Sequence, residues 1–112
     1  MTDKPQIPGI DIKPHDWEEL TGILETIVPE YDVRAFGSRV EGTAKPYSDL
    51  DLAIITVKPL PLSKKADLRE ALDQSDLSIK VDIIDWSTIS ANFRKIIEQK
   101  NLLIQKASDK IA

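Results

Sequence analysis

The sequence predicts an α/β (α+β) domain, a small mixed three-stranded sheet flanked by about four helices. Three observations carry that reading. Residues 31–36 alternate between two faces, and 50–57 and 79–84 are short runs rich in Val, Ile and Leu, as strands are. The first two are joined by a short return through Gly42 and Pro46, which suits antiparallel neighbours. The second and third are separated by a helical segment, the crossover that parallel strands require.

Taken in order, residues 1–13 carry Pro5, Pro8 and Gly9 with isolated Ile residues and no helical or strand period. They read as an extended N-terminal arm, leaving 14–112 as the folded domain. After Pro14, Asp16 and Glu19 have capping-box spacing, and Trp17, Leu20, Ile23, Leu24, Ile27 and Val28 fall on one helical stripe that Pro29 ends. In the first strand Tyr31, Val33 and Ala35 share one face, while Asp32, Arg34 and Phe36 share the other. Gly37 stops it, and a brief helical turn over Ser38 to Glu41 follows.

The second strand gives way to the breaker Lys58-Pro59-Leu60-Pro61. Ser63 is then a candidate N-cap for a helix to about Asp73, with Leu68, Ala71 and Leu72 inward. Beyond the third strand, Ser87 is the candidate cap of a last helix whose stripe is Ile89, Phe93, Ile96 and Ile97. Leu102-Leu103-Ile104 either extends that helix or forms a short edge strand. The same residues are either a subunit interface or a buried final turn, so homo- and hetero-oligomers stay open.

Composition bounds the function. With 112 residues there is room for one small domain. No cysteine is present, which excludes disulfides and thiolate metal sites. The absence of a secretory or membrane-spanning apolar run makes the cytoplasm the default location, with no membrane partner. A net charge of −4 argues against broad nucleic-acid binding, which needs an excess of Lys and Arg.

The chemistry is concentrated between Phe36 and Ile55. Asp49 and Asp51, alternate residues of a strand, point the same way with Cα atoms roughly 6–7 Å apart, a spacing at which two carboxylates can chelate one or two Mg²⁺ ions. Gly37-Ser38, opening a helical turn, offers approachable backbone N–H groups and a hydroxyl, which suit a triphosphate. A third carboxylate lies in Lys80-Val81-Asp82-Ile83-Ile84-Asp85-Trp86. Asp82 and Asp85 face opposite ways by alternation. If the third strand runs parallel beside the second, Asp82 joins Asp49 and Asp51, and Asp85 serves the turn before the last helix. Each neighbour also has a plainer reading. Gly37 can simply end a strand, Ser38 can be an N-cap, and Arg39 is either a phosphate ligand or an exposed helical residue. Ser48 either orients Asp49 or is an ordinary turn residue.

Gly37-Ser38, ten intervening residues, Asp49-x-Asp51 and a later strand Asp together resemble the DNA polymerase β nucleotidyltransferase superfamily. The wording Gly-Ser-Arg-Val-Glu-Gly-Thr-Ala with Ser-Asp-Leu-Asp-Leu is similar to its minimal nucleotidyltransferases. The resemblance covers the chain from the first helix to the last. It implies catalytic and Mg²⁺-binding roles for Asp49, Asp51 and Asp82, nucleotide binding by Gly37, Ser38 and Arg39, and ATP or another nucleoside triphosphate as substrate. It further implies transfer of a nucleoside monophosphate, AMP above all, to a hydroxyl of a partner protein. The resemblance implies a HEPN-domain toxin as that partner, with this chain as its antitoxin, because members of the family are commonly encoded in such pairs. Glu41 departs from the pattern, since many relatives carry a second Arg there, leaving Arg39 as the nearest cation. Two other functions fit the same residues: an antitoxin that acts by covering its partner without catalysis, and a transferase acting on a small molecule of antibiotic type.

Overall fold

The computed structural model describes residues 7–108. The outer ends of the expected arm and domain, residues 1–6 and 109–112, lie outside the described residues.

The chain runs α1 (Pro14–Ile27), β1 (Asp32–Phe36), α2 (Ser38–Glu41), β2 (Leu50–Ile55), α3 (Leu62–Asp73), β3 (Val81–Asp85), a 3-10 turn (Trp86–Thr88), α4 (Ala91–Gln99) and β4 (Leu102–Gln105). One sheet has the order β3-β2-β1-β4. β1 is antiparallel to both β2 and β4, and β2 is parallel to β3, so the α/β (α+β) class and the mixed sheet are as the sequence predicts.

The sheet has four strands rather than three. Asn101 explains the fourth: its Nδ2 donates to the Ile97 carbonyl at 3.0 Å and its Oδ1 accepts from Arg34 Nη1 at 2.7 Å. The first bond closes α4 and the second draws the emerging chain beside β1. Leu102 and Ile104 then pack against the core, whereas Leu103 is exposed.

One face of the sheet is the main core. Val33 and Ala35 of β1, Leu50, Leu52 and Ile54 of β2 and Val81 of β3 meet Leu20, Leu24 and Val28 from the first helical segment and Leu68 of α3. Each such aliphatic side chain, fully buried, contributes about 1.5–3 kcal/mol. The core also takes Ile10 and Ile12, which are buried, so this part of the N-terminal stretch lies on the domain.

Helix starts differ from the sequence expectations in ways that matter. Lys13 precedes α1 with Pro14 at its first position, and Asp16 is not a cap. Instead it is buried, accepting from Ser78 N–H at 2.9 Å and Ser78 Oγ–H at 2.5 Å, which fastens the segment entering β3 to α1. α3 starts after Pro61 without a side-chain cap from Ser63. α4 is capped by Ser90, which accepts from Phe93 N–H at 3.1 Å, and Ser87 belongs to the 3-10 turn before it. Among the described residues no helix is long and apolar enough to cross a membrane.

Candidate active site

The opposite face of the sheet carries the carboxylates. In the ladder Phe36 pairs with Asp51, and Asp51 pairs with Asp82. Paired residues on neighbouring strands point the same way about 4.8 Å apart, so Asp51 and Asp82 stand side by side. Asp49 immediately precedes β2 and adds a third negative charge to the group. Burial, then Asp82, then Asp49 push the Asp51 carboxyl above its ordinary value. The choice of Asp82 over Asp85 follows from β3 starting in register with β2, Leu50 opposite Val81.

Asp85 faces the other way into a cradle of its own. Its carboxylate accepts from Thr56 Oγ1–H, from Leu60 N–H at 2.7 Å, and from Ser87 N–H and Oγ–H at 3.1 and 2.9 Å. Burial alone would raise its pKa, but hydrogen bonds from Thr56, Leu60 and Ser87 together outweigh it and hold the carboxyl below its ordinary value. Asp85 therefore anchors the β2–α3 connection.

Gly37 is where the Gly-Ser turn meets the carboxylates. Its backbone is at φ 85°, ψ −160°, and an added Cβ would overlap Asp51 Oδ2. Only glycine lets the α2 turn lie this close to the Asp51 carboxylate. Gly37 O accepts from Val40 and Glu41 N–H, while the Ser38 N–H and hydroxyl have no protein partner among the described residues. Both lie on the turn that Gly37 brings against Asp51.

Arg39 is not the exposed helical residue of the plainer reading. It is 6% exposed. Nε donates to Ser48 O at 3.0 Å, Nη1 to Asp11 O at 2.9 Å, and Nη2 to Lys45 O and Pro46 O at 3.3 and 3.1 Å. The Asp11 carboxylate lies 4.0 Å from Nη1. A guanidinium engaged by four carbonyls has little left to offer a phosphate.

Two features were missed in the sequence. Lys80 places Nζ 4.0 Å from Asp82 Oδ1 while remaining exposed, so a cation sits on the rim of the carboxylate group. Phe93 of α4 meets Phe36 edge-on with ring centroids 5.9 Å apart, bringing α4 over the residue that pairs with Asp51. The signal for Lys80 was its position two residues before Asp82 in a strand, which puts both side chains on one face.

A hard divalent cation fits this donor set. The facing groups are carboxylate oxygens, the ligands Mg²⁺ takes, and their mutual repulsion is already expressed at Asp51. Among the described residues no three or more His, Cys, Asp or Glu side chains are grouped so as to hold a metal ion, so the fit rests on Asp51 and Asp82 side by side with Asp49 next to them. The carboxylates form an open row, a layout that leaves coordination positions for phosphate and water.

Residues 18–110 match a family described as the nucleotidyltransferase domain. The chain belongs to the nucleotidyltransferase family. It is 48% identical over 97 residues to the "Probable protein adenylyltransferase MntA" of Haemophilus influenzae, covering 87% of this chain and 85% of that protein. Two solved structures share the fold. A toxin-antitoxin crystal structure with AMP-PNP superposes with a TM-score of 0.66 at 20% identity, covering 82% of this nucleotidyltransferase and 74% of that chain. A complex of tri-AMPylated Shewanella oneidensis HEPN toxin with MNT antitoxin superposes at 0.59 and 17% identity, covering 83% and 71%. At these identities the structures establish the nucleotidyltransferase fold, and the carboxylate row with its Gly-Ser turn is the candidate active site.

Proposed function

We propose that this nucleotidyltransferase transfers AMP from ATP to a hydroxyl of a partner protein, and that it is the antitoxin of a HEPN-domain toxin. The observation that carries the proposal is the 48% identity to a probable protein adenylyltransferase over most of both chains. The AMPylated HEPN toxin bound to a chain of the same fold supports the partner, and the AMP-PNP complex supports ATP. An ATP-consuming reaction of this kind suits the cytoplasm.

Phosphoryl transfer depends on placement and charge neutralisation more than on covalent help from the protein. Asp49, Asp51 and Asp82 would hold Mg²⁺, which when bound neutralises the triphosphate and makes the acceptor hydroxyl more acidic. Ser38 N–H and Oγ, together with Gly37 N–H, hold the β and γ phosphates against the carboxylate row. The acceptor oxygen attacks the α phosphorus, a new O–P bond forms, and the bond to the bridging oxygen breaks to release pyrophosphate. Asp82 accepts the hydroxyl proton. Carboxylates on one side and phosphate donors on the other are brought within reach by the absence of a side chain at Gly37.

The test is to incubate the protein with ATP, Mg²⁺ and a purified HEPN-domain partner, then measure the partner's intact mass. The proposal predicts a gain of one or more AMP units. A stable complex with no gain identifies an antitoxin that acts by binding, and transfer only to an added aminoglycoside or spectinomycin-type acceptor identifies a small-molecule transferase.

A further inference from the structure

The Arg39 guanidinium spans three segments. It bonds the carbonyl of Asp11, the carbonyls of Lys45 and Pro46 in the loop after α2, and the carbonyl of Ser48, the residue immediately before Asp49. The bond to Asp11 is reciprocated, because Asp11 N–H donates to Arg39 O at 2.7 Å. Arg39 is itself the residue after Ser38. A single buried side chain thus connects the turn that would hold the phosphates with the segment that delivers the first carboxylate.

We propose that Arg39 is a positioning residue for nucleotidyl transfer, a clamp that sets the separation between the Gly37-Ser38 turn and Asp49. This rests on the proposed reaction at that site. The chemistry of the residue fits the task. Guanidinium is planar, permanently charged and carries five N–H donors in a fixed fork, so it can hold several carbonyls in one geometry. A Lys ammonium is a compact point charge on a flexible stem and cannot reproduce that spread. Ser48 assists from outside: its Oγ accepts from Lys45 N–H at 2.8 Å while Ser48 N–H donates to Lys45 O at 3.0 Å, closing the loop on itself. The clamp also explains why Asp11 belongs with the domain, since one face of the guanidinium would otherwise lack its acceptor.

The consequence is a distinctive kinetic pattern. A displacement of about 1 Å between reacting groups can cost on the order of 100-fold in rate without comparable loss of ground-state binding. R39K and R39Q are both predicted to lower kcat by about 100-fold and to leave KM for ATP within about twofold. A phosphate ligand would behave differently, with R39K retaining activity and R39Q raising KM. Ser48→Ala, which removes one exposed hydrogen bond, keeps the test decisive if R39Q does not fold. It is predicted to lower kcat by roughly 3–10-fold at unchanged KM, and an unchanged kcat in a folded S48A protein overturns the clamp.

Amide hydrogen exchange separates this proposal from the reaction it rests on. R39K should speed exchange at Lys45, Ser48 and Asp11 whether or not any acceptor is labelled. If the wild-type protein transfers nothing but these amides respond, the reaction is wrong and the clamp stands. If R39K leaves all three amides as protected as in the wild type, the clamp is wrong.

Discussion

Gly37→Ala tests the close approach at the centre of the site. Two penalties combine. The first is backbone: φ 85° with ψ −160° lies in a region that is essentially reserved for glycine, at about 1–3 kcal/mol for any other residue. The second is steric, because the new methyl overlaps Asp51 Oδ2 while Asp51 Cγ and Cβ, at 3.4 and 3.6 Å, are in ordinary contact. The carboxylate must therefore swing or the turn must retreat, by about 1 Å, to restore van der Waals separation. Together these predict a loss of about 2–3 kcal/mol of stability, or roughly 10 °C or more in Tm for a domain of this size. They also predict a fall in transfer rate on the order of 100-fold beyond any loss of folded protein. Thermal unfolding followed by circular dichroism and initial rates at saturating ATP measure the two effects separately. A Gly37→Ala protein with wild-type Tm and rate would refute the argument that the turn and Asp51 are in contact.

Other substitutions probe the supports. Asp85→Asn should destabilise the fold by about 2–3 kcal/mol, since it weakens a buried acceptor of several hydrogen bonds. Because Asp85 is held below its ordinary pKa in the folded chain, its contribution is full at neutral pH. It fades as pH falls from the ordinary carboxylate range through the depressed value, so urea midpoints of wild type and Asp85→Asn should differ less at about pH 3 than at about pH 7. An equal gap at both would contradict this. Ser90→Ala removes the α4 cap and should cost about 1 kcal/mol with no change in KM for ATP, as a urea titration and a kinetic run would show. Ser38→Ala should lower kcat/KM for ATP about tenfold through loss of one hydroxyl contact to phosphate, with Tm unchanged.

The parts of this fold that were legible in the sequence are those that local pattern determines. The α1 stripe, the alternation in β1 and β2 and the helix between β2 and β3 together gave the mixed sheet. Alternation alone separated Asp82 from Asp85. What escaped is what depends on contacts distant in sequence. Asp16 has capping-box spacing, but its partner is Ser78, far along the chain. Arg39 lies on a four-residue helix with no pattern to show that Asp11 and the 45–48 loop would enclose it. β4 was ambiguous because three apolar residues after a helix satisfy either period, and Arg34 capturing Asn101 decides the matter. For the same reason Lys80 was visible only as a strand residue until Asp82 was placed.

The central claim is that the row of Asp49, Asp51 and Asp82 is a nucleotidyl-transfer site. The most direct measurement is the rate at which label from α-labelled ATP appears on a HEPN-domain partner with wild-type protein and with D49N, D51N and D82N, each shown to be folded by its Tm. The account predicts Mg²⁺-dependent labelling by the wild type and its loss in all three variants, with the partner still bound. Undiminished labelling by folded D49N or D51N would contradict it.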